Sequence, residues 1–151
     1  MASDLRNFAR NMNRTSDRLP RAVSAVVTAV GRAVTVNVID TTPVDTGEAR
    51  SNWIVSIGVP VRGTVAPYTP YPKFSRGNGR GVAETANASA AKARAEGAFR
   101  AKQPGQRLII QNNVDHIGLL NSGTSTQAPA LFVELAVQAG VRTLNGAKLN
   151  I

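Results

Sequence analysis

His116 is the only histidine in the chain, and the carboxylate of Asp115 beside it could orient an imidazole. Ser122 and Ser125 follow closely and could supply a hydroxyl nucleophile. A catalytic triad, however, requires a nucleophile held between a strand and a helix, and no Gly-x-Ser-x-Gly elbow is present. Asp45 and Glu48 form a second candidate, a pair of Mg²⁺-binding acids of the kind a nuclease uses. No third acidic partner accompanies them, and a turn Asp followed by a first-turn Glu is also how helices ordinarily begin. With one His and no Cys, a conventional zinc site lacks its ligands. Gly77-Asn78-Gly79-Arg80-Gly81 lacks the Lys-Ser/Thr ending of a phosphate loop and follows no strand. These residues predict a protein without catalytic, cofactor or metal sites.

The basic residues carry a stronger signal. The formal net charge is +9, from 18 Lys and Arg against 9 Asp and Glu. Arg6, Arg10, Arg14 and Arg18 recur every four residues, so a helix stacks them on one face. Too few acids alternate with them for simple intrahelical pairing. A second basic region holds Arg62, Lys73, Arg76 and Arg80, interleaved with Tyr68, Tyr71 and Phe74. Charge mixed with aromatics can bind single-stranded nucleic acid by neutralisation and stacking. The same residues can anchor an extended arm on a neighbouring subunit, which is the favoured reading. The Arg stripe likewise admits a phosphate contact, an acidic neighbour or an ordinary solvated face.

These groups must be positioned by a scaffold, and at 151 residues the chain is read as a single domain, 1–151. Aromatics make up only 5% of it, so Ala and Val must supply most of a thin core. The charged N-terminus predicts no signal peptide, and no run of the ~18 apolar residues of a membrane helix is read. The absence of Cys suits a protein made and used in a cytoplasm.

From Leu5 through Phe8, Met12, Leu19, Val23 and Val30 to Val38, apolar residues follow a helical period. A long N-terminal helix is predicted, with a kink or a break near Pro20, which has no N–H to donate. Val34–Val38 also alternates with period two, leaving a strand open there, with the helix favoured. Thr42-Pro43-Val44-Asp45-Thr46-Gly47 reads as a tight turn leading into a strand at 53–58 that opens with Trp53, the only Trp. Residues 59–81, with four Pro and four Gly, read as an extended loop or arm. An Ala-rich helix over 82–103 stops before Pro104-Gly105, and Gln106–Gln111 reads as a strand. A last helix runs from Ala130 to about Leu144, with a flexible tail over 145–151. The predicted class is α+β: a long N-terminal helix, a small mainly antiparallel sheet, an Ala-rich middle helix and a C-terminal helix.

A second motif completes the picture. Asn112-Asn113 leads through His116-Ile117 to Leu120-Asn121-Ser122-Gly123-Thr124-Ser125-Thr126-Gln127-Ala128-Pro129. Together with Pro43, Asp45, Thr46, Gly47 and Asn52-Trp53, this resembles the bacteriophage neck and tail-component family of head–tail joining proteins, which includes tail-completion proteins similar to the lambda minor tail protein Z. The match spans about residues 40 to 140 in order. His116 stands where that family usually has Tyr, Thr124 where Ser is common, and Ala130-Leu131 where Ala-Gly is frequent.

The resemblance implies a structural virion protein, made in the host cytoplasm and located in the neck or head-proximal tail. It implies a ring of six or twelve copies joining portal and connector to tail around the channel for genomic DNA, with no membrane. Pro43, Asp45, Thr46, Gly47, Asn52, Trp53, Asn113, Asn121, Gly123, Ser125, Gln127 and Pro129 would then shape the fold and its assembly surface. The alternative from composition is a free basic nucleic-acid-binding protein.

Overall fold

A computed structural model describes residues 2–70 and 78–146. Helix α1 (Ala2–Thr41) is followed by a short helix α2 (Glu48–Ser51), strand β1 (Trp53–Ile57) and helix α3 (Asn78–Ala101). Strand β2 (Leu108–Asn112), a single turn α4 (Ile117–Leu119) and helix α5 (Phe132–Arg142) complete the order, with a 3₁₀ turn at Thr143–Gly146. β1 and β2 pair antiparallel, with Trp53 opposite Asn112 and Ile57 opposite Leu108. The α+β class, the long first helix and the small antiparallel sheet match the sequence expectation.

Three features differ from it. α1 runs unbroken through Pro20. Proline leaves one carbonyl a turn earlier without its helical donor, but residues 4–20 are all exposed, so water can take that bond. α1 is also apolar enough over an 18-residue window, at mean hydropathy 1.7, to cross a membrane by length and composition. That corrects the sequence reading, although a core helix passes the same test and Val34, Val38 and Ile39 lie in the core. Finally, α3 starts at Asn78, so the glycine-rich stretch read as loop opens a helix. Of the predicted tail, Asn145 and Gly146 close the 3₁₀ turn, and 147–151 lie outside the described residues.

The core is built on the second half of α1. Val34, Val38 and Ile39 pack with Trp53, Ala88, Ala91, Phe132 and Ala136. Small residues set the helix spacing. α3 turns Ala83, Asn87, Ala91, Ala95 and Phe99 inward at intervals of four, so its backbone comes close. Gly140 of α5 lies against Val34, where a Cβ would collide with the Val34 side chain and stand 3.1 Å from its backbone nitrogen. That contact lets α5 cross α1 with almost no gap. A second cluster of Val55, Ala95 and Phe99 fills the space between the sheet and α3, and the Arg32 guanidinium covers the Phe99 ring 5.5 Å from its centroid.

Candidate functional site

The turn after α1 is fixed by one hydroxyl. Thr42, fully buried, donates its Oγ1–H to the Val38 carbonyl and accepts the indole Nε1–H of Trp53 at 2.7 Å. The ring thus enters the core with its only polar atom satisfied, which is what a buried Trp requires. Arg50 Nη2 donates to the Thr42 carbonyl at 2.9 Å and reaches the Asp40 carbonyl at 3.4 Å, closing the C-terminal end of α1. Burial lowers the Arg50 pKa from its ordinary value, and the charges of Glu84 and Asp40 work against that shift.

Gly47 carries φ 83° and is buried. A Cβ there would collide with the Asn87 amide nitrogen, so glycine is required both by the left-handed backbone and by the space. Asn87 is itself 1% exposed and belongs to a set of carboxamides that hold the chain after β1. Gln111 accepts from Val61 N at 2.9 Å and donates to Val61 O at 2.6 Å. Asn52 accepts from Val65 N at 2.6 Å and donates to Val65 O at 2.7 Å. Asn87 accepts from Thr69 N at 2.7 Å and donates to Thr69 O at 2.9 Å. Asn113 adds donors to the carbonyls of Val61 and Gly63. Every fourth residue of the segment is therefore gripped at both backbone groups by one amide, in place of a third strand.

This changes the reading of the predicted arm. Residues 61–69 form a strap on their own subunit, and Tyr68, still exposed, accepts a hydrogen bond from Arg94 at 3.4 Å. Arg62 is exposed on the strap. Lys73 and Arg76 lie outside the described residues, and Arg80 lies in the first turn of α3.

The second motif organises the start of α5. The backbone there turns at Leu131, with φ 60° and ψ 33°, the one non-glycine in the left-handed region among the described residues. Leucine at the N-cap offers no oxygen, and Asn121 supplies it from a distance. Its Oδ1 accepts from Val133 N at 2.9 Å, its carbonyl accepts from Leu131 N at 2.6 Å, and its Nδ2 donates to Glu134 at 2.9 Å. Gly123, at φ 90°, allows this approach, because a Cβ would stand 2.8 Å from that of Ala130. The sequence places the start of this helix at Ala130, two residues too early. Ser125 accepts from Gln127 N at 3.2 Å and caps the turn, and the helix begins at Phe132.

The two motifs meet. Gln127 Oε1 accepts from Val44 N at 3.0 Å, joining the second motif to the first across 83 residues. Around this bond lies a cleft of about 400 Å³ whose walls include Pro43, Asp45, Glu48, His116, Ser125 and Gln127. His116 and Asp115 are both exposed, and Ser122 donates its hydroxyl to the Leu119 carbonyl at 2.8 Å. Asn113 and Asn52 belong instead to the strap, and Pro129 is exposed beyond the cleft. Among the described residues no group of three or more His, Asp or Glu is placed to hold a metal ion.

Arg6, Arg10, Arg14 and Arg18 lie exposed along the first half of α1. Arg10 bonds within its own helix, to Asn7 Oδ1 at 2.9 Å. Leu5, Phe8, Met12 and Leu19, on the opposite side of the same helix, are exposed as well. No protein-family model, curated protein or solved structure matches this chain.

Proposed function

We propose that this chain is a structural protein of the phage neck or head-proximal tail, and that its copies form a ring joining portal and connector to the tail around the DNA channel. The observation that carries the reading is the contact between the two motifs of the resemblance. Pro43–Gly47 and Asn121–Gln127 meet through Gln127 and Val44, and their polar groups are spent on caps and turns. Motifs used in this way shape a subunit, so the protein is read as non-enzymatic, with no cofactor. A further support is Leu131: the family of the resemblance frequently has Gly there, and the backbone adopts the left-handed conformation that favours Gly. A long helix half of which covers no core supports assembly.

Gold labelling of intact particles with an antibody to this chain tests the proposal. Label at the head–tail junction is the predicted result, and particles without the chain would overturn it. A second reading, a free nucleic-acid-binding protein, is favoured by the four exposed arginines on one helix face. It requires affinity for DNA that falls steeply and linearly with log salt. In a ring, the same arginines contact acidic neighbours or lumenal DNA, and their joint replacement by Ala weakens assembly or genome retention.

A further inference from the structure

The first half of α1 is an unpartnered amphipathic helix. Leu5, Phe8, Met12, Leu19 and Val23 follow a helical period and are 44–70% exposed, while the arginine stripe occupies the opposite face. The same apolar face continues along α1 to an open groove of about 470 Å³, where Val26 and Val30 face Leu108 and Ile110 of β2 and Val133 and Val137 of α5. The geometry points to one occupant of that groove: the N-terminal helix of a second copy of this chain. The inference deepens the assembly reading by naming the surfaces through which copies meet.

The arm cannot fill the groove of its own subunit. α1 is one continuous helix, and Leu5 precedes the groove residue Val26 by 21 positions (26 − 5), which places it about 32 Å away along the axis. The exposed area argues the same way. Five arm side chains, each leaving on the order of 100 Å² uncovered, amount to roughly 500 Å², in the upper part of the range for a monomer's largest apolar patch, where such patches are often interaction sites. Val27, Val137 and Leu144 on the groove, with Val141 one turn beyond Val137, are 37–48% exposed and add roughly 300 Å². Neither surface alone reaches the ~800 Å² per partner of a stable interface; a reciprocal exchange between two copies does, and in a ring each copy buries the same area shared between its two neighbours. An exchange of arm into groove uses both on every copy. Repeated under rotation it closes a ring, with the arginine stripes turned away from the contact.

The test compares self-association of the full chain with two variants by sedimentation velocity. One is L5E/F8E/M12E on the arm and the other is V137E in the groove, with circular dichroism confirming that each is folded. V27E replaces V137E should the latter fail that check. Each variant is predicted to weaken self-association by about tenfold or more per buried side chain changed. In addition, the chain has no Cys, so F8C/V137C offers a single pair for a bis-maleimide cross-linker. Cross-linked multimers are predicted, because the two positions are too far apart to join within one chain.

Assembly retained by either folded variant overturns the docking while leaving a ring through other surfaces standing. A twofold pair lost in both variants keeps the docking and ends the ring reading. A chain that stays monomeric but binds anionic lipid vesicles through the Leu5–Met12 face overturns both.

Discussion

Replacing Asn52 with Ala isolates the device that holds the strap. The Asn52 side chain is fully buried and makes three bonds, donating to the carbonyls of Glu48 and Val65 and accepting from Val65 N. Each such bond contributes about 1 kcal/mol net, so their joint loss costs about 3 kcal/mol. Val65 is half-buried, and local opening of the strap lets water reach its backbone, which keeps the cost near this figure rather than at the full desolvation penalty of every orphaned group. For a chain of this length, about 3 kcal/mol lowers the melting temperature by about 6–12 °C. A second readout separates strap release from a general loss of stability. Arg62 lies in the strap between Val61 and Gly63, so trypsin should cleave after it faster in N52A than in the wild type under conditions where both are folded. If N52A melts at the wild-type temperature and Arg62 is cut at the wild-type rate, the amide grip is not what holds this segment.

Gly47→Ala places a side chain at φ 83° and against the Asn87 amide; a loss of about 2–4 kcal/mol is predicted in urea unfolding, and an unchanged midpoint would contradict it. Leu131→Gly has the opposite sign: the left-handed conformation of an exposed Leu is relieved, offset in part by the entropy of the unfolded glycine, so a net gain of about 0.5–1 kcal/mol should raise the melting temperature. Glu96 accepts from Arg32 at 2.9 and 2.7 Å and from Arg100 at 3.2 Å, and these hydrogen bonds, Arg32 first, hold its carboxyl below its ordinary 4.5. Its native pKa lies below the unfolded one, so its stabilisation is present above the ordinary value and is lost as pH falls through the lowered one. A carbon-detected titration should find the Glu96 midpoint below 4.5, and Arg32→Ala should move it upward.

Elements governed by periodicity were legible in the sequence. The spacing from Leu5 to Val38 marks α1, a short apolar run opened by the lone Trp marks β1, and Pro104-Gly105 marks the end of α3, because each signal is local. The strap was not legible. Asn52, Asn87, Gln111 and Asn113 grip the backbone over separations of 13 to 52 residues, and a carboxamide carries no periodicity that names its partner. The cap on α5 was missed for the same reason, since Asn121 lies ten residues before the Leu131 whose role as cap it takes over. Pro20 misled because its penalty is set by surroundings the sequence does not reveal. In a buried helix the orphaned carbonyl breaks the run, whereas on a solvated arm water repairs it. The bond by which the two motifs meet, Gln127 to Val44, joins residues 83 apart and is visible only in three dimensions.

Negative-stain imaging of the purified full-length chain tests the central claim most directly. Closed rings of uniform size with an open centre are the predicted result. A field of single subunits under conditions where the chain is folded and concentrated would contradict the account.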